Sequence, residues 1–255
     1  MIGCGKMGGA LLTYWKKGDE QFTIVDPGLQ EAPEGVRLLG DRAALGDETF
    51  DAVIVAIKPQ MIGDILPDYR PHLGEGGYVL SMAAGTSAAR LSGLMDGAPV
   101  IRVMPNLPAA VGQGVSGLYA ADAVTARQAA HAQAMMDRTG TCVAVDSEDK
   151  LDRVTAVAGS GPGYIFEIAR AYVEAAVGMG FSETEARDMV LGTMAGTTAM
   201  AMQQPDQPLE DLRNSVTSKG GTTAAGLEAL NGDEGLSRRL RDTLKAAYDR
   251  AVELR

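Results

Sequence analysis

The sequence predicts an α/β domain followed by an all-helical one. From Phe22 to Val145 short Val- and Ile-rich runs alternate with helical stretches, and no convincing strand follows "VDSEDKLD". A glycine-rich loop stands at the head of the alternating part, in "MIGCGKMGGALL". The 255 residues are long for one core and comfortable for two, which places an α/β domain at 1–147 and a helical domain at 148–255.

The strands of the first domain are "FTIV", "DAVIVAI", "YVLSMAA", "PVIRVM" and "TCVAV". Their near-continuous apolar runs fit strands covered on both faces, hence a mostly parallel sheet between helices. "PQMIGDILPDY" and "AVTARQAAHAQAMMDRT" have helical length and composition. In the second domain "SETE" at Ser182–Glu185 is a capping box opening a helix that Pro205 ends. That helix is apolar almost all round, so burial on several sides is expected. Gly192 and Gly196 allow a close backbone approach, and a hundred-residue domain can hardly cover such a helix alone. The expectation is an intertwined homodimer.

The formal charge of −10 argues against a nucleic-acid partner, and in "LSRRLRDTLK" acidic residues offset the basic ones. Cys4 and Cys142, with His72 and His131, are too few for a disulfide framework or a structural metal site, so no metal is expected. No apolar run is long enough for a bilayer and no leader precedes the glycine loop, which predicts no membrane partner and a cytoplasmic location.

Gly3, Gly5 and Gly8 have the G-x-G-x-x-G spacing: a tight turn, room for a pyrophosphate, and close packing of helix on strand. Lys6 and Met7 open the helix whose amide end faces the phosphates. Asp26 ends the next strand at the distance expected of a ribose contact. Its carboxylate suits the hydroxyls of NAD(H) and would repel a 2′-phosphate, although Arg37 or Arg42 can fold back toward it. Lys58, in "AIKPQ", ends a strand at the sheet's ligand-binding edge, while Pro59 serves as an ordinary helix start. Asn106, in "RVMPN", suits a nicotinamide carboxamide and the bracing of its own loop equally.

Two further loops carry donors. "AGSGPGY", with Ser160, exposes amides ahead of a helix. In "TSKGGTTAAGL", Ser218, Gly220, Gly221, Thr222 and Thr223 form a polar turn whose amides and hydroxyls can cup a small carboxylate, with Lys219 adding positive charge. A carbonyl reductase needs an acid for the emerging alkoxide, yet "GYIFEIARAY" has no lysine. An imine needs orientation and a hydrogen-bond donor, for which a threonine suffices.

In this order and spacing the five stretches "GCGKMG", "AIKPQ", "RVMPN", "AGSGPGY" and "TSKGGTTAAGL" resemble the Δ1-pyrroline-5-carboxylate reductase family over essentially the whole chain. The resemblance implies a Rossmann domain followed by a helical dimerisation domain, with dimers that can assemble further. It implies reduction of the cyclic imine acid to L-proline by NADPH or NADH. By motif, Thr223 would donate a hydrogen bond to the ring nitrogen, and Ser218, Gly221 and Thr222 would hold the carboxylate. Asn106 would lie near the nicotinamide, and Ser160 would line the same cavity. The alternatives are a reductase of another cyclic imine and a non-catalytic nucleotide-binding protein. Many members carry Pro where Lys219 stands and several apolar residues before the glycine loop. Here only Met1 and Ile2 precede it, and the expectation is that upstream residues are missing from the recorded sequence.

Overall fold

A computed structural model describes residues 1–254. It divides into two compact units: Met1–Pro162 with the chain from Lys245 on, and Gly163–Leu244.

In the first unit, the sequence forms β1 (Thr23–Val25), β2 (Arg37–Leu39), β3 (Phe50–Val55), β4 (Leu73–Ser81), β5 (Val100–Met104), β6 (Gly114–Ala120) and β7 (Gly140–Val145). β1 pairs with β2, and β3 to β7 lie side by side in chain order. Ile2 joins the two groups by parallel bridges to Val25 and Val55. Among the described residues only the β5–β6 pair is antiparallel. Alternation along the strands sends side chains to both faces. Ile54, Leu80 and Ile101 meet Leu11 and Trp15 of α1 (Lys6–Trp15) and Met136 of α4 (Ala126–Asp137). Val53, Val55, Val79 and Val100 meet Ile62 of α2 (Pro59–Ile65) and Leu91 of α3 (Ala88–Leu94). Both faces are therefore covered, as the continuous apolar runs require.

β2 and β6 are strands that the sequence reading omits. β2 has only three residues. β6 reads "GVSGLYA", and its glycines answer to packing rather than to strand propensity. A Cβ on Gly114 would stand 2.8 Å from that of Ala109, and one on Gly117 would stand 2.8 Å from Leu151 Cδ1.

The boundary at 147/148 differs from the compact units because α5 (Glu148–Val154) belongs to the first of them. Leu151 is fully buried, and the Glu148 carboxylate accepts from Arg102 at 2.7 Å and from the Ala88 amide at 2.8 Å. The end of α10 (Gly235–Glu253) also lies in this unit, where the Tyr248 hydroxyl donates to Asp149. Arg102 has 2% of its side chain exposed, so removing its partner leaves a buried, uncompensated charge. Glu148→Ala is expected to lower stability by about 3 kcal/mol. A urea midpoint equal to that of the parent would refute this role.

Ahead of the glycine loop Ile2 stands between β1 and β3 as a single bridging residue. Ile2 is buried, its amide donates to Ile54 O at 2.8 Å and its carbonyl accepts from Ala56 N at 2.9 Å. The Met1 α-amino group donates to Thr23 O at 2.6 Å. Burial pushes its pKa down from 8.0 to about 5. Beyond Met1 the chain segments of β1 and β3 part around a cavity of about 770 Å³, bordered by Gln21, Thr23, Asp51, Ala52 and Ile54.

The second unit is helical: α6 (Gly161–Gly178) for most of its length, α7 (Glu183–Met202), α8 (Leu209–Ser215), α9 (Thr222–Asn231) and the first half of α10. The capping box is present: Ser182 Oγ accepts from the Glu185 amide at 3.3 Å, and Glu185 accepts from the Ser182 amide at 2.9 Å. In the single chain α7 is not buried on several sides; only Ala186 and Val190 are. Met189, Leu191, Met200 and Met202 are exposed, as are Ile165, Phe166 and Tyr172 of α6. The apolar surface that periodicity assigned to a core is therefore left for another chain to cover. Among the described residues no helix is long and apolar enough to cross a membrane, and no group of three His, Cys, Asp or Glu residues is placed to hold a metal ion.

Candidate active site

The three glycines of the first loop have three different environments. Gly3 has φ +75°, and a Cβ there would stand 2.7 Å from Ile57 Cγ2 and 3.1 Å from Ala56 O. Only glycine fits this turn. A Cβ on Gly5 would meet nothing within 4 Å, so its outer side is open for an approaching group. A Cβ on Gly8 would rest 3.4 Å from that of Ala56, where α1 packs on β3's extension. Gly5 is the N-cap of α1 and no side chain caps the helix, so the first-turn amides at Lys6 and Met7 face outward without helical partners. Uncapped amides beside an open glycine form an anion-receptive end.

Asp26 follows β1 and turns back onto this loop. One carboxylate oxygen accepts from the Cys4 amide at 2.8 Å, and the other accepts from the Gly28 amide at 2.8 Å. A cavity of about 540 Å³ opens here, bordered by Gly3, Gly5, Asp26, Arg42 and Lys58. Lys58 borders this cavity and is the N-cap of α2, with Pro59 at the first helical position. Burial pushes the Cys4 thiol up, followed by the effect of Asp26, so the thiol stays protonated and serves as a small loop residue. Uncapped amides, an open glycine and a fixed acceptor suit the pyrophosphate and ribose of a nicotinamide dinucleotide.

Asn106 is buried, and both ends of its amide are engaged. Its Nδ2 donates to Ala158 O at 2.9 Å, and its Oδ1 accepts from Val115 N at 2.8 Å. Of the two roles open to it, this geometry provides the bracing one. It ties the loop after β5 to β6 and to the π-helical turn Thr155–Gly159, directly before the half-buried Ser160.

In the second unit Gly220 adopts φ +72°, and the Gly221 amide donates to Ser218 O at 3.0 Å, closing the turn. Gly221 is the N-cap of α9, with no side-chain cap. Ser218, Thr222 and Thr223 are exposed, and among the described residues none of their hydroxyls has a protein partner. The structure thus gathers Gly3, Gly5, Lys58 and Asp26 about one cavity, joins Asn106 to the Ser160 turn, and places Ser218–Thr223 in the other compact unit. The sequence reading missed Asp41 and Tyr69, which border the nucleotide-sized cavity. The "GDR" turn after the short β2 was the available signal.

A loop of this construction on a doubly covered, mostly parallel sheet, followed by a helical unit with an exposed apolar surface, has the build of a nicotinamide-dependent oxidoreductase that dimerises through its helical part. Residues 148–254 match the family model described as pyrroline-5-carboxylate reductase dimerisation. The pyrroline-5-carboxylate reductase of Pseudomonas aeruginosa is 34% identical over 268 residues, covering 99% of this chain and 95% of that protein. The structure of a pyrroline-5-carboxylate reductase from Coxiella burnetii superposes with a TM-score of 0.91 at 30% identity, covering 99% of this chain and 96% of the other. A Plasmodium falciparum pyrroline carboxylate reductase with NADP bound shares the fold, with a TM-score of 0.85 at 24% identity over 99% of this chain and 96% of that one.

The chain belongs to the pyrroline-5-carboxylate reductase family. It reduces the C=N bond of Δ1-pyrroline-5-carboxylate with a nicotinamide nucleotide, giving L-proline in the last step of proline biosynthesis.

Proposed function

We propose that the turn Ser218–Thr223 binds the imine acid and that Thr223 orients its reacting bond. The observation that carries this is a set of three unengaged hydroxyls at the uncapped start of α9, beside a glycine that needs a left-handed backbone. The first-turn amides of α9 and the Ser218 and Thr222 hydroxyls supply donors for a carboxylate, and the helix end favours its negative charge. Gly220 shapes the turn, Gly221 leaves room for the Ser218 hydroxyl to pack against the start of α9, and Lys219 adds positive charge. The Thr223 hydroxyl donates to the ring nitrogen of the neutral imine.

Lys6, Met7 and the loop glycines hold the pyrophosphate, Asp26 the adenosine ribose, and Lys58 the outer edge of the cavity. Asn106 holds the loop beside the nicotinamide. When bound, the reduced nucleotide supplies the hydride. The chain's own residues then contribute positioning of two reactants rather than a strong acid, because an imine nitrogen accepts a proton readily. Dimers are proposed to assemble further, as the exposed Leu209 and Val216 near the substrate turn support. The enzyme is proposed to work in the cytoplasm.

Ser218→Ala tests the carboxylate site. Losing one charge-assisted hydrogen bond is expected to raise KM for Δ1-pyrroline-5-carboxylate about tenfold. Nucleotide affinity, measured by quenching of protein fluorescence, should stay at the parent value. A KM equal to the parent's would remove Ser218 from the substrate site.

A further inference from the structure

We infer that the Asp26 carboxylate makes this enzyme discriminate for NADH against NADPH. The inference rests on the assignment of the cavity beside the glycine loop to the nucleotide. Asp26 cannot turn out of that cavity at little cost, because its two oxygens hold the Cys4 and Gly28 amides, each at 2.8 Å. Swinging it aside would release the glycine loop itself. A carboxylate accepts about four hydrogen bonds, so two sites remain for the 2′- and 3′-hydroxyls of an adenosine ribose. A 2′-phosphate would bring close to two negative charges against this fixed one.

The remaining charges of the cavity do not offset that repulsion. Asp26 and Asp41 balance Arg42 and Lys58 around its wall, leaving no surplus of positive charge. Arg42, the arginine that borders the cavity, has its Nε 3.9 Å from the Asp68 carboxylate, a further acidic group that competes for it. Asp41 is anchored at the head of the same short turn by accepting from the Ala43 amide at 2.8 Å. The NADP bound in the Plasmodium neighbour therefore does not predict the preference of this chain.

The test is direct binding to the full-length enzyme, read by nicotinamide fluorescence without turnover. NADH is expected to bind at least tenfold more tightly than NADPH, and 5′-AMP more tightly than 2′,5′-ADP. Asp26→Asn, which removes the charge and keeps an amide-facing oxygen, is expected to narrow the ratio mainly by improving NADPH binding. Arg42→Ala should leave the ratio within a factor of about three. Equal or tighter NADPH binding by the parent would overturn the inference, as would a collapse of NADPH binding alone in Arg42→Ala. If neither nucleotide binds, the assignment of the cavity fails and the inference with it, an outcome distinct from a reversed preference.

Discussion

Replacing Thr223 with alanine is expected to lower kcat roughly a hundredfold to a thousandfold, the loss that follows removal of one well-placed donor at a reacting centre. The substitution is mild for the fold. Thr223 is the second residue of α9, it is exposed, and its hydroxyl has no protein partner among the described residues. Alanine is the better helix former there, so α9 should be kept or slightly strengthened. Nucleotide binding should not change, because the glycine loop and Asp26 belong to the other compact unit. Thr223→Ser restores a hydroxyl and should recover most of the turnover, whereas Thr223→Val keeps the shape without the donor and should not. The measurement is kcat and KM for the three variants, with nucleotide affinity alongside. Parent-like turnover in Thr223→Ala or Thr223→Val would end the proposed role.

Extending the chain ahead of Met1 by four apolar strand-forming residues is expected to raise stability by several kcal/mol. Parallel pairing explains why. Ile2 bonds to Ile54 and Ala56 on one side, and Met1 bonds to Thr23 and Val25 on the other. Continuing that alternation backward sets the next residue against Ala52 and Ile54 and the one before it against Gln21 and Thr23. These are walls of the cavity of about 770 Å³. Each apolar side chain fully buried there contributes roughly 1.5–3 kcal/mol.

The extension also removes a buried amine. With a folded pKa of about 5 against 8.0 for the free group, the unfolded state binds more protons between those values. Stability of the unextended chain therefore falls as pH drops from 8 toward 5, with a total loss of up to about 4 kcal/mol, and does not fall further on this account below 5. Urea midpoints at pH 8 and pH 5.5, with and without the extension, measure both effects. The extended protein should have the higher midpoint and the shallower pH slope. An unchanged midpoint would mean that the cavity does not accept a strand.

Much of the fold was legible because it rests on local chemistry. The capping box at Ser182 marks α7 through bonds made within one turn. Apolar runs mark β3, β4 and β5 because strands covered on both faces need them. The environments of Gly3, Gly5 and Gly8, a left-handed turn, an open side and a close helix contact, match their spacing because each is set by a neighbour in sequence or one strand away.

Other features depend on distant partners and left no local trace. β6 carries glycines because Ala109 and Leu151 crowd it, and neither position can be inferred from "GVSGLYA". The bracing of Asn106 is set by Ala158, 52 residues away. The second anchor of Asp26, the Cys4 amide, is 22 residues away.

The order of residues alone was enough for the two-part architecture, the glycine loop and the threonine-rich turn, since each follows from backbone geometry and hydrogen-bonding capacity over a few positions. Three-dimensional packing was needed to tell whether a polar side chain is free or already bound: Asn106 is engaged at both ends, Asp26 is pinned but open, and the hydroxyls at Ser218, Thr222 and Thr223 are unengaged. The reason is that a hydrogen bond depends on the separation in space of two groups, which the chain sets only once it has folded.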